Sequence, residues 1–262
     1  VIKKIIRSSI SDIICKGVKP KYYFVSGSGN KKKFSKNNLK KISNSLSQEQ
    51  KKFNIKLCGG DTSFSKKLNF TFIFIGFSKK IIFRNNAKVK DDIYVTGNIG
   101  DSFIGLQILK KKINLNKKQA NYFINEFYKP NIQIRITEKL LQFSNSSIDI
   151  SDGLFDDMEK LINKQKLNYY IDLNKIPISK SFRLFTKKSK VDKISLVSNG
   201  DDYQVLFTAN KNKSRIIRAI SNKLRVKITK IGEILPSYQK SRIIDKNGNI
   251  IALKKKGYIH HF

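Results

Sequence analysis

Four aspartates stand within nine residues of this chain, in the stretch DISDGLFDD: Asp149, Asp152, Asp156 and Asp157. The chain has only 19 acidic residues among 262 and a formal net charge of +35, so an average nine-residue window holds fewer than one acid. Two like charges 4 Å apart repel by roughly 4 kcal/mol at an effective dielectric of about 20. A divalent cation, with a phosphate group beside it, is the most economical explanation of such a cluster.

The pattern around these aspartates predicts a strand, a sharp turn and a helix over 152–164. Side chains alternate along a strand, so Asp149 and Ser151 are expected to point the same way. Gly153 permits the turn. The N–H groups at the start of the helix can then hold a phosphate oxygen while the carboxylates hold a metal ion. The alternative is that Asp152 or Ser151 only caps the helix.

Three other acidic positions are ambiguous when each is taken alone. In GGDT (59–62), paired glycines permit a ligand to approach the backbone and Asp61 could bind a cation, but a tight hairpin turn explains the same residues. Asp201 and Asp202 open the segment DDYQVLF, where a turn with local hydrogen bonds is an equal alternative. Asp12, within the first predicted helix, is typical of a solvated residue.

The hydrophobic pattern predicts a mixed α/β or α+β fold in two layers, with a boundary near residue 87. Residues 25–33 are expected to form a loop, Ser35 and Asp101 to cap helices, and the strand at 68–77 to be buried on both faces. Helices are predicted at 2–16, 35–53, 102–111, 117–128, 132–143, 152–164 and 211–221. Strands are predicted at 22–25, 55–58, 68–77, 93–97, 146–150, 169–173 and 227–233, and residues 199–209 are expected to join a turn to a strand.

The positive charge comes from 46 Lys and only eight Arg. Phosphate and base recognition usually relies on Arg, and these Lys residues are spread along the whole chain, so we interpret most of them as solvated residues that reflect A/T-rich codons. The apolar run at 70–77 is too short to cross a bilayer, and no secretory signal is apparent. Two cysteines favour a reducing cytoplasm over a disulfide framework.

Taken together and in order, several segments resemble the thiamine-monophosphate kinase family, which belongs to the superfamily of aminoimidazole ribonucleotide synthetase and selenide, water dikinase. The resemblance implies a two-domain aminoimidazole ribonucleotide synthetase-like fold of the α/β (α+β) class. Residues 1–87 would form an N-terminal ATP- and Mg-binding and dimerisation domain, incomplete at its start, and residues 88–262 a C-terminal α/β domain. The matching stretches are SDIICKGVKP, LCGGDTSF, RNNAKVKDDIYVTGNIGDSFIGLQIL, IDISDGLFDDM, SNGDDYQVLFT, ITKIGEI and GYIHHF.

The resemblance further implies ATP-dependent phosphorylation of thiamine phosphate to thiamine diphosphate, with Mg²⁺, in a cytoplasmic homodimer without membrane or specific nucleic-acid partners. No general base is expected, because the acceptor is already a phosphate. The matched positions imply metal ligands at Asp12, Asp61, Asp149 and Asp152. They imply ATP contacts at Phe53, Gly60, Asp61, Arg84 and Ser151, and substrate contacts at Asp201 and Tyr258.

The chain also departs from the family pattern. Two acidic motifs that the family carries upstream of these segments are absent, so the 262-residue chain alone is expected to turn over little substrate and its first sheet to have an open edge. Asp201 stands where Glu is usual, Asn199 where Gly, Ser9 where Asn, Phe53 where Tyr and Ile259 where an acid is usual. The alternatives are another ATP-dependent enzyme of the superfamily and, less favoured, a basic nucleic-acid-binding protein.

Overall fold

The computed structural model describes residues 1–189, 191–253 and 257. Helix α1 (Ile2–Ile14) is followed by a three-stranded sheet of β1 (Pro20–Gly29), β2 (Lys56–Phe64) and β3 (Asn69–Gly76). The strand order is β2-β1-β3, in which β1 is parallel to β2 and antiparallel to β3. The parallel pair requires a crossover, and helix α2 (Lys36–Phe53) provides it. Strands β2 and β3 therefore form the edges of this sheet.

The GGDT segment lies inside β2, so both the predicted turn and the hairpin alternative are wrong. Gly60 pairs with Val25 of β1, and Asp61 pairs with Ser26. A side chain at position 60 would bring its Cβ within 1.8 Å of the Val25 carbonyl oxygen, which explains the glycine. Strand β1 also continues to Gly29, through residues that were expected to form a loop, and a Cβ at Gly27 or Gly29 would crowd the rings of Phe70 and Phe34.

Strand β3 is half-buried on one face and exposed on the other, which corrects the prediction of a strand buried on both faces. Ile73 is 58% exposed and Phe77, just after the strand, is 70% exposed. Phe24 of β1 pairs with Ile73 and is also exposed, as is Ile75. Phe24, Ile73, Ile75 and Phe77 together form what we call the apolar sheet face. Aromatic residues on the opposite face of β3, among them Phe72 and Phe74, stack on buried Tyr23.

A six-stranded sheet follows, in the order β5-β7-β4-β8-β6-β9. All neighbouring strands are antiparallel except β6 and β9, which are parallel. Its strands are β4 (Asp92–Thr96), β5 (Ser144–Asp149), β6 (Leu167–Asp172), β7 (Val205–Ala209), β8 (Ile228–Pro236) and β9 (Arg242–Ile244). The mixed α/β class is confirmed, while β9 is a strand that the hydrophobic pattern did not predict.

Most predicted helices are present, and the Ser35 side chain caps α2 as expected. The segment predicted as a helix at 132–143 contains a 3₁₀ turn (Ile134–Ile136) that continues into the short helix α5 (Thr137–Leu140), so a helix is present there but is shorter than predicted. Asp101 begins α3 without capping it. The remaining helices are α3 (Asp101–Leu109), α4 (Lys117–Tyr128), α5 (Thr137–Leu140), α6 (Leu154–Ile162), α7 (Lys180–Lys188), α8 (Lys193–Val197) and α9 (Ser214–Leu224), of which α7 and α8 were not predicted. Within the described ranges, each helix is too short or too polar to cross a membrane.

A buried ion pair joins the first two helices to the segment that follows α4. The Arg7 guanidinium donates to both carboxylate oxygens of Glu49, at 2.7 and 2.9 Å. It also donates to the carbonyl oxygens of Lys129 and Pro130, at 2.9 and 3.1 Å. Around it, one hydrophobic cluster contains residues from α1, from the three-stranded sheet and from the six-stranded sheet. Helix α1 is thereby held against both sheets, and its Asp12 lies beside the end of β5.

Candidate active site

The DISDGL segment joins β5 to α6 through a loop that Asp157 holds from within the helix. The buried Asp157 carboxylate accepts the backbone N–H groups of Ser151, Asp152 and Gly153 at 2.9, 3.0 and 3.1 Å. Gly153 precedes the helix at φ 141°, a conformation that favours glycine. Neither Ser151 nor Asp152 caps α6, so the capping alternative is wrong. The three loop N–H groups are already bonded to Asp157, so a phosphate oxygen would have to bind to other groups of the site.

Lys160 lies over the remaining carboxylates of the cluster. Its Nζ is 2.5 Å from Asp152 Oδ2, 2.5 Å from Asp156 Oδ2 and 3.6 Å from Asp157 Oδ1. Burial acts to lower the pKa of Lys160, but the hydrogen bonds to Asp152 and Asp156 outweigh it and raise that pKa above its usual range. Burial raises the pKa of Asp157 to about 6, although the backbone N–H groups that donate to this carboxylate act to lower it.

Oxygen atoms of Asp152, Asp156 and Asp157 all lie within 4.8 Å of one another. This spacing is compatible with hard-cation coordination, since Mg²⁺ and Ca²⁺ prefer carboxylate oxygens. Gly257 packs against the same place, because a Cβ there would lie 2.5 Å from Asp156 Cβ and 3.0 Å from the Asp152 carbonyl oxygen. Gly257 therefore lies at the acidic cluster.

A second carboxylate pair, Asp12 and Asp149, lies where α1 meets the end of β5. The buried Asp149 accepts a hydrogen bond from Ser11 Oγ at 2.6 Å. Burial raises the pKa of Asp149, and the charge of Asp12 raises it further. Burial also raises the pKa of Asp12, although a hydrogen bond with Asp149 and the charges of Lys16 and Arg84 oppose the increase. The charge of Asp157 also acts on Asp12, so the two groups of carboxylates are electrostatic neighbours.

Asp201 meets Ser151 and Asp152 in one cleft of ≈ 530 Å³. Its N–H donates to the Ser151 carbonyl oxygen at 2.8 Å, and a Cβ at Gly200 would clash with that same oxygen. The Asp201 backbone has a positive φ of 71°, an uncommon conformation outside glycine. Its carboxylate accepts from Tyr203 Oη at 2.9 Å and pairs with Lys4 Nζ at 2.8 Å. The buried Asp202 instead accepts the Gly100 N–H, at 2.8 Å.

Other residues that the resemblance implied lie elsewhere. Gly60 and Asp61 line a mainly apolar groove between the three-stranded sheet and α2. Phe53 is buried at the end of α2, and it borders a separate groove with Lys52, Arg135, Arg225 and Lys227. Tyr258 lies outside the described residues. The structure thus brings together Asp149, Ser151, Asp152 and Asp201, with Asp12 and Arg84 at their side, and separates Phe53, Gly60 and Asp61 from them.

Several residues of the site were missed by the sequence interpretation. Lys160 follows Asp156 by four residues and Asp157 by three, a helical spacing that brings side chains together and could have identified it. Ser11 and Lys4 carry no comparable signal, because their partners, Asp149 and Asp201, lie far away in the sequence.

Comparison with known proteins agrees with this fold. Residues 3–77 match the family described as AIR synthase related protein, N-terminal domain. The solved thiamine monophosphate kinase of Aquifex aeolicus has a TM-score of 0.82 at 23% identity, over 96% of this chain and 82% of that one. A structure described as AaThiL complexed with AMPPCP and TMP has a TM-score of 0.83 at 22% identity, over 100% and 81%. The fold is therefore that of the AIR synthase-related enzymes.

A closer relationship is found among sequences. The thiamine-monophosphate kinase of Buchnera aphidicola subsp. Acyrthosiphon pisum is 35% identical over 98% of this chain and 79% of its own length. The chain belongs to the thiamine-monophosphate kinase family.

Proposed function

We propose that this protein transfers the terminal phosphate of ATP to thiamine phosphate, which gives thiamine diphosphate. The observation that carries the proposal is the convergence of Ser151, Asp152 and Asp201 on one cleft, beside the Asp12 and Asp149 pair. These five positions come from three distant segments of the chain, and each matches a functional position of the family. The relatives named above support the same reaction, since they carry the name of this kinase and one was solved with AMPPCP and TMP.

The residues of the cleft suit a transfer between two phosphorylated molecules. Asp201 is held by Tyr203 and Lys4 at the entrance, where it can accept a hydrogen bond from the acceptor or attract its cationic ring. Phe103, Leu106 and Phe127 supply apolar surface in the same cleft. Since the acceptor oxygen already belongs to a phosphate, the protein has to align the two molecules and balance their charge, with little proton transfer.

The carboxylates fit Mg²⁺. Their oxygens are hard donors, the Asp152, Asp156 and Asp157 carboxylates lie within 4.8 Å of one another, and a cationic group, the Lys160 ammonium, already lies among them. Asp152 would hold the ion, together with Asp149 and Asp12 on the neighbouring side. Bound there, the ion would neutralise phosphate oxygens as negative charge moves from donor to acceptor. Asp61 would join these ligands only through a rearrangement or from a second copy of the chain.

The proposal is tested by incubating the protein with ATP, Mg²⁺ and thiamine phosphate and measuring thiamine diphosphate by mass spectrometry. Both the 262-residue chain and, where that chain proves to be part of a longer protein, the longer protein should be assayed. Product formation by the latter, abolished by EDTA, is the expected result. Absence of thiamine diphosphate from both, or faster ADP release with an aminoimidazole precursor or selenide as acceptor, would overturn the proposal.

The protein is further proposed to act as a cytoplasmic homodimer. The family resemblance supports the dimer, and the apolar sheet face offers a surface for it, since Phe24, Ile73, Ile75 and Phe77 are all exposed. A contiguous exposed apolar surface of this kind marks an interaction site more often than it marks open solvent contact. Two free cysteines, the buried Cys15 and the exposed Cys58, are compatible with the reducing cytoplasm.

A further inference from the structure

Lys160 has the geometry of a bound cation within the acidic cluster. Its ammonium is 2.5 Å from one oxygen of Asp152 and 2.5 Å from one oxygen of Asp156, and it is 3.6 Å from the buried Asp157. The side chain is only 34% exposed, so these pairs are partly shielded from solvent screening. The positive charge of Lys160 therefore offsets part of the negative charge of these three carboxylates.

Lys160 and a metal ion would compete for the carboxylate of Asp152. The carboxylate of Asp152, which the proposed function assigns to Mg²⁺, accepts from Lys160 Nζ through its Oδ2 atom. An ammonium at 2.5 Å occupies the position from which a divalent cation would approach that oxygen. An ion of charge +2 beside the ammonium would also meet a like charge, which is unfavourable at such a distance.

We propose that Lys160 is a built-in counter-ion that holds the DISDGLFDD carboxylates together before the metal arrives and must leave Asp152 when it binds. The inference rests on the proposed function, because it assumes that Asp152 is a metal ligand. Lys160 is thus a positioning residue that sets metal affinity. Its ammonium, once displaced, stays tethered by α6 beside the cleft, where a phosphate group of either substrate is an available partner.

The consequences for affinity and stability have opposite signs. Without the ammonium, the charges of Asp152, Asp156 and Asp157 repel one another more strongly, so the metal-free protein should be less stable. The more negative cluster also attracts a divalent cation more strongly, so the metal should bind more tightly and restore the lost stability. If Lys160 had a purely structural role, its loss would lower stability without any gain in metal affinity.

The test compares Lys160→Met, which keeps the length of the side chain and removes its charge, with Lys160→Arg, which keeps the charge. Lys187→Met, an exposed lysine near the end of α7, serves as the matched control. Binding of Mn²⁺ is measured by electron paramagnetic resonance at fixed ionic strength, and thermal midpoints are recorded with and without the ion. These readouts do not depend on turnover.

For Lys160→Met we expect roughly tenfold tighter Mn²⁺ binding than in the wild type, the size expected when one nearby positive charge is removed in a partly solvated site. Its thermal midpoint should fall without metal and recover at saturating Mn²⁺, while Lys160→Arg and Lys187→Met stay near the wild type. Unchanged or weaker Mn²⁺ binding by Lys160→Met would overturn the inference. If binding tightens as expected but no thiamine diphosphate is ever formed, the inference stands and the proposed function fails.

Discussion

At the scale of single residues, the aspartates of DISDGLFDD have different roles although they are identical in type. Asp157 is buried and bonded to three backbone N–H groups, so it shapes the loop. Asp152 and Asp156 are only partly buried and contact an ammonium group. Asp149 is buried beside Asp12 and has a raised pKa, mainly because of burial. The bonding partner, rather than the residue type, therefore distinguishes the structural carboxylate of Asp157 from the candidate metal ligands.

A substitution at Asp152 tests its proposed role directly. Asp152→Asn should leave the loop intact, because the loop is held by Asp157 and the Asp152 side chain does not cap α6. Loss of a carboxylate that binds the metal should lower kcat by at least about 100-fold, since even outer partners of metal ligands are worth 10–100-fold. Steady-state kinetics and circular dichroism provide the measurements.

Asp245→Asn is the matched control, because that aspartate is exposed in the turn after β9 and the amide retains an oxygen acceptor. Near-normal kinetics for Asp152→Asn would show that this carboxylate is not needed for the transfer.

At the scale of elements, the site depends on where α1 is held. The helix carries Lys4, Ser11 and Asp12, each of which contacts or influences a carboxylate from a distant segment. It is fixed by the buried pair of Arg7 with Glu49 and by the bonds from Arg7 to the end of α4. A shift of α1 would move these groups relative to β5 and the cleft. The ion pair is therefore a remote support of the active site.

Glu49→Ala should destabilise the protein strongly. The substitution leaves the Arg7 guanidinium buried without its carboxylate, and breaking a buried pair in this way costs about 3–5 kcal/mol. Urea denaturation measures the loss in free energy of unfolding. The control is Glu138→Ala, which breaks an exposed pair with Lys19 and should cost less than about 1 kcal/mol. Similar losses for the two variants would contradict a supporting role for the buried pair.

At the scale of the whole molecule, a chain with a net charge of +35 contains a second group of acids that are buried or half-buried. Asp101, Glu126 and Asp202 surround a small cavity of ≈ 120 Å³ between α3, α4 and the segment that precedes β7. Burial is the main reason that the pKa of Asp101 rises to about 6 and that of Glu126 to about 7. Burial also raises the pKa of Asp202 well above its usual range. These acids favour the folded state when protonated and oppose it when ionised.

The contribution of Glu126 to the stability of the folded protein should therefore fall as pH rises. Its pKa of about 7 in the folded protein exceeds the ordinary value of 4.5, so its contribution is complete below pH 4.5 and is lost as pH rises through 7. Glu126→Gln cannot ionise. Between pH 5 and 8 the free energy of unfolding of this variant should gain about 2 kcal/mol relative to the wild type.

Chemical denaturation at a series of pH values measures this difference, and Glu138→Gln, at an exposed position, provides the baseline. A constant difference between Glu126→Gln and the wild type across the pH range would contradict the raised pKa.

The apolar sheet face leads to a prediction about assembly. Ile73→Asp places a charge at its centre, where Ile73 is 58% exposed, and should convert a dimer into a species of 30.2 kDa in sedimentation experiments. Ile216→Asp is the control, because Ile216 is an exposed apolar residue on α9, outside that face. If both variants sediment like the wild type, the homodimer does not use this surface.

The sequence by itself determined the mixed α/β class, the positions of most helices and strands, and the kinase family, because periodic apolar residues and ordered acidic motifs are local signals. It also singled out Asp149, Ser151, Asp152 and Asp201 as candidate site residues, and their roles stay predictions. It failed at GGDT, since glycines that permit a turn equally permit close pairing of parallel strands, and only the register of β1 and β2 distinguishes the two. The domain boundary near residue 87 stays a prediction.

Only the tertiary structure decided which acids meet. Asp12 stands near Asp149 because α1 packs against the end of β5, more than 130 residues away in the sequence, and Asp61 is separated from both because β2 lies at the edge of another sheet. Contacts of this kind depend on the packing of remote elements, which no local spacing encodes. The same packing buries one aspartate and leaves its neighbour in contact with a lysine, and so divides a single acidic motif into a structural and a chemical part.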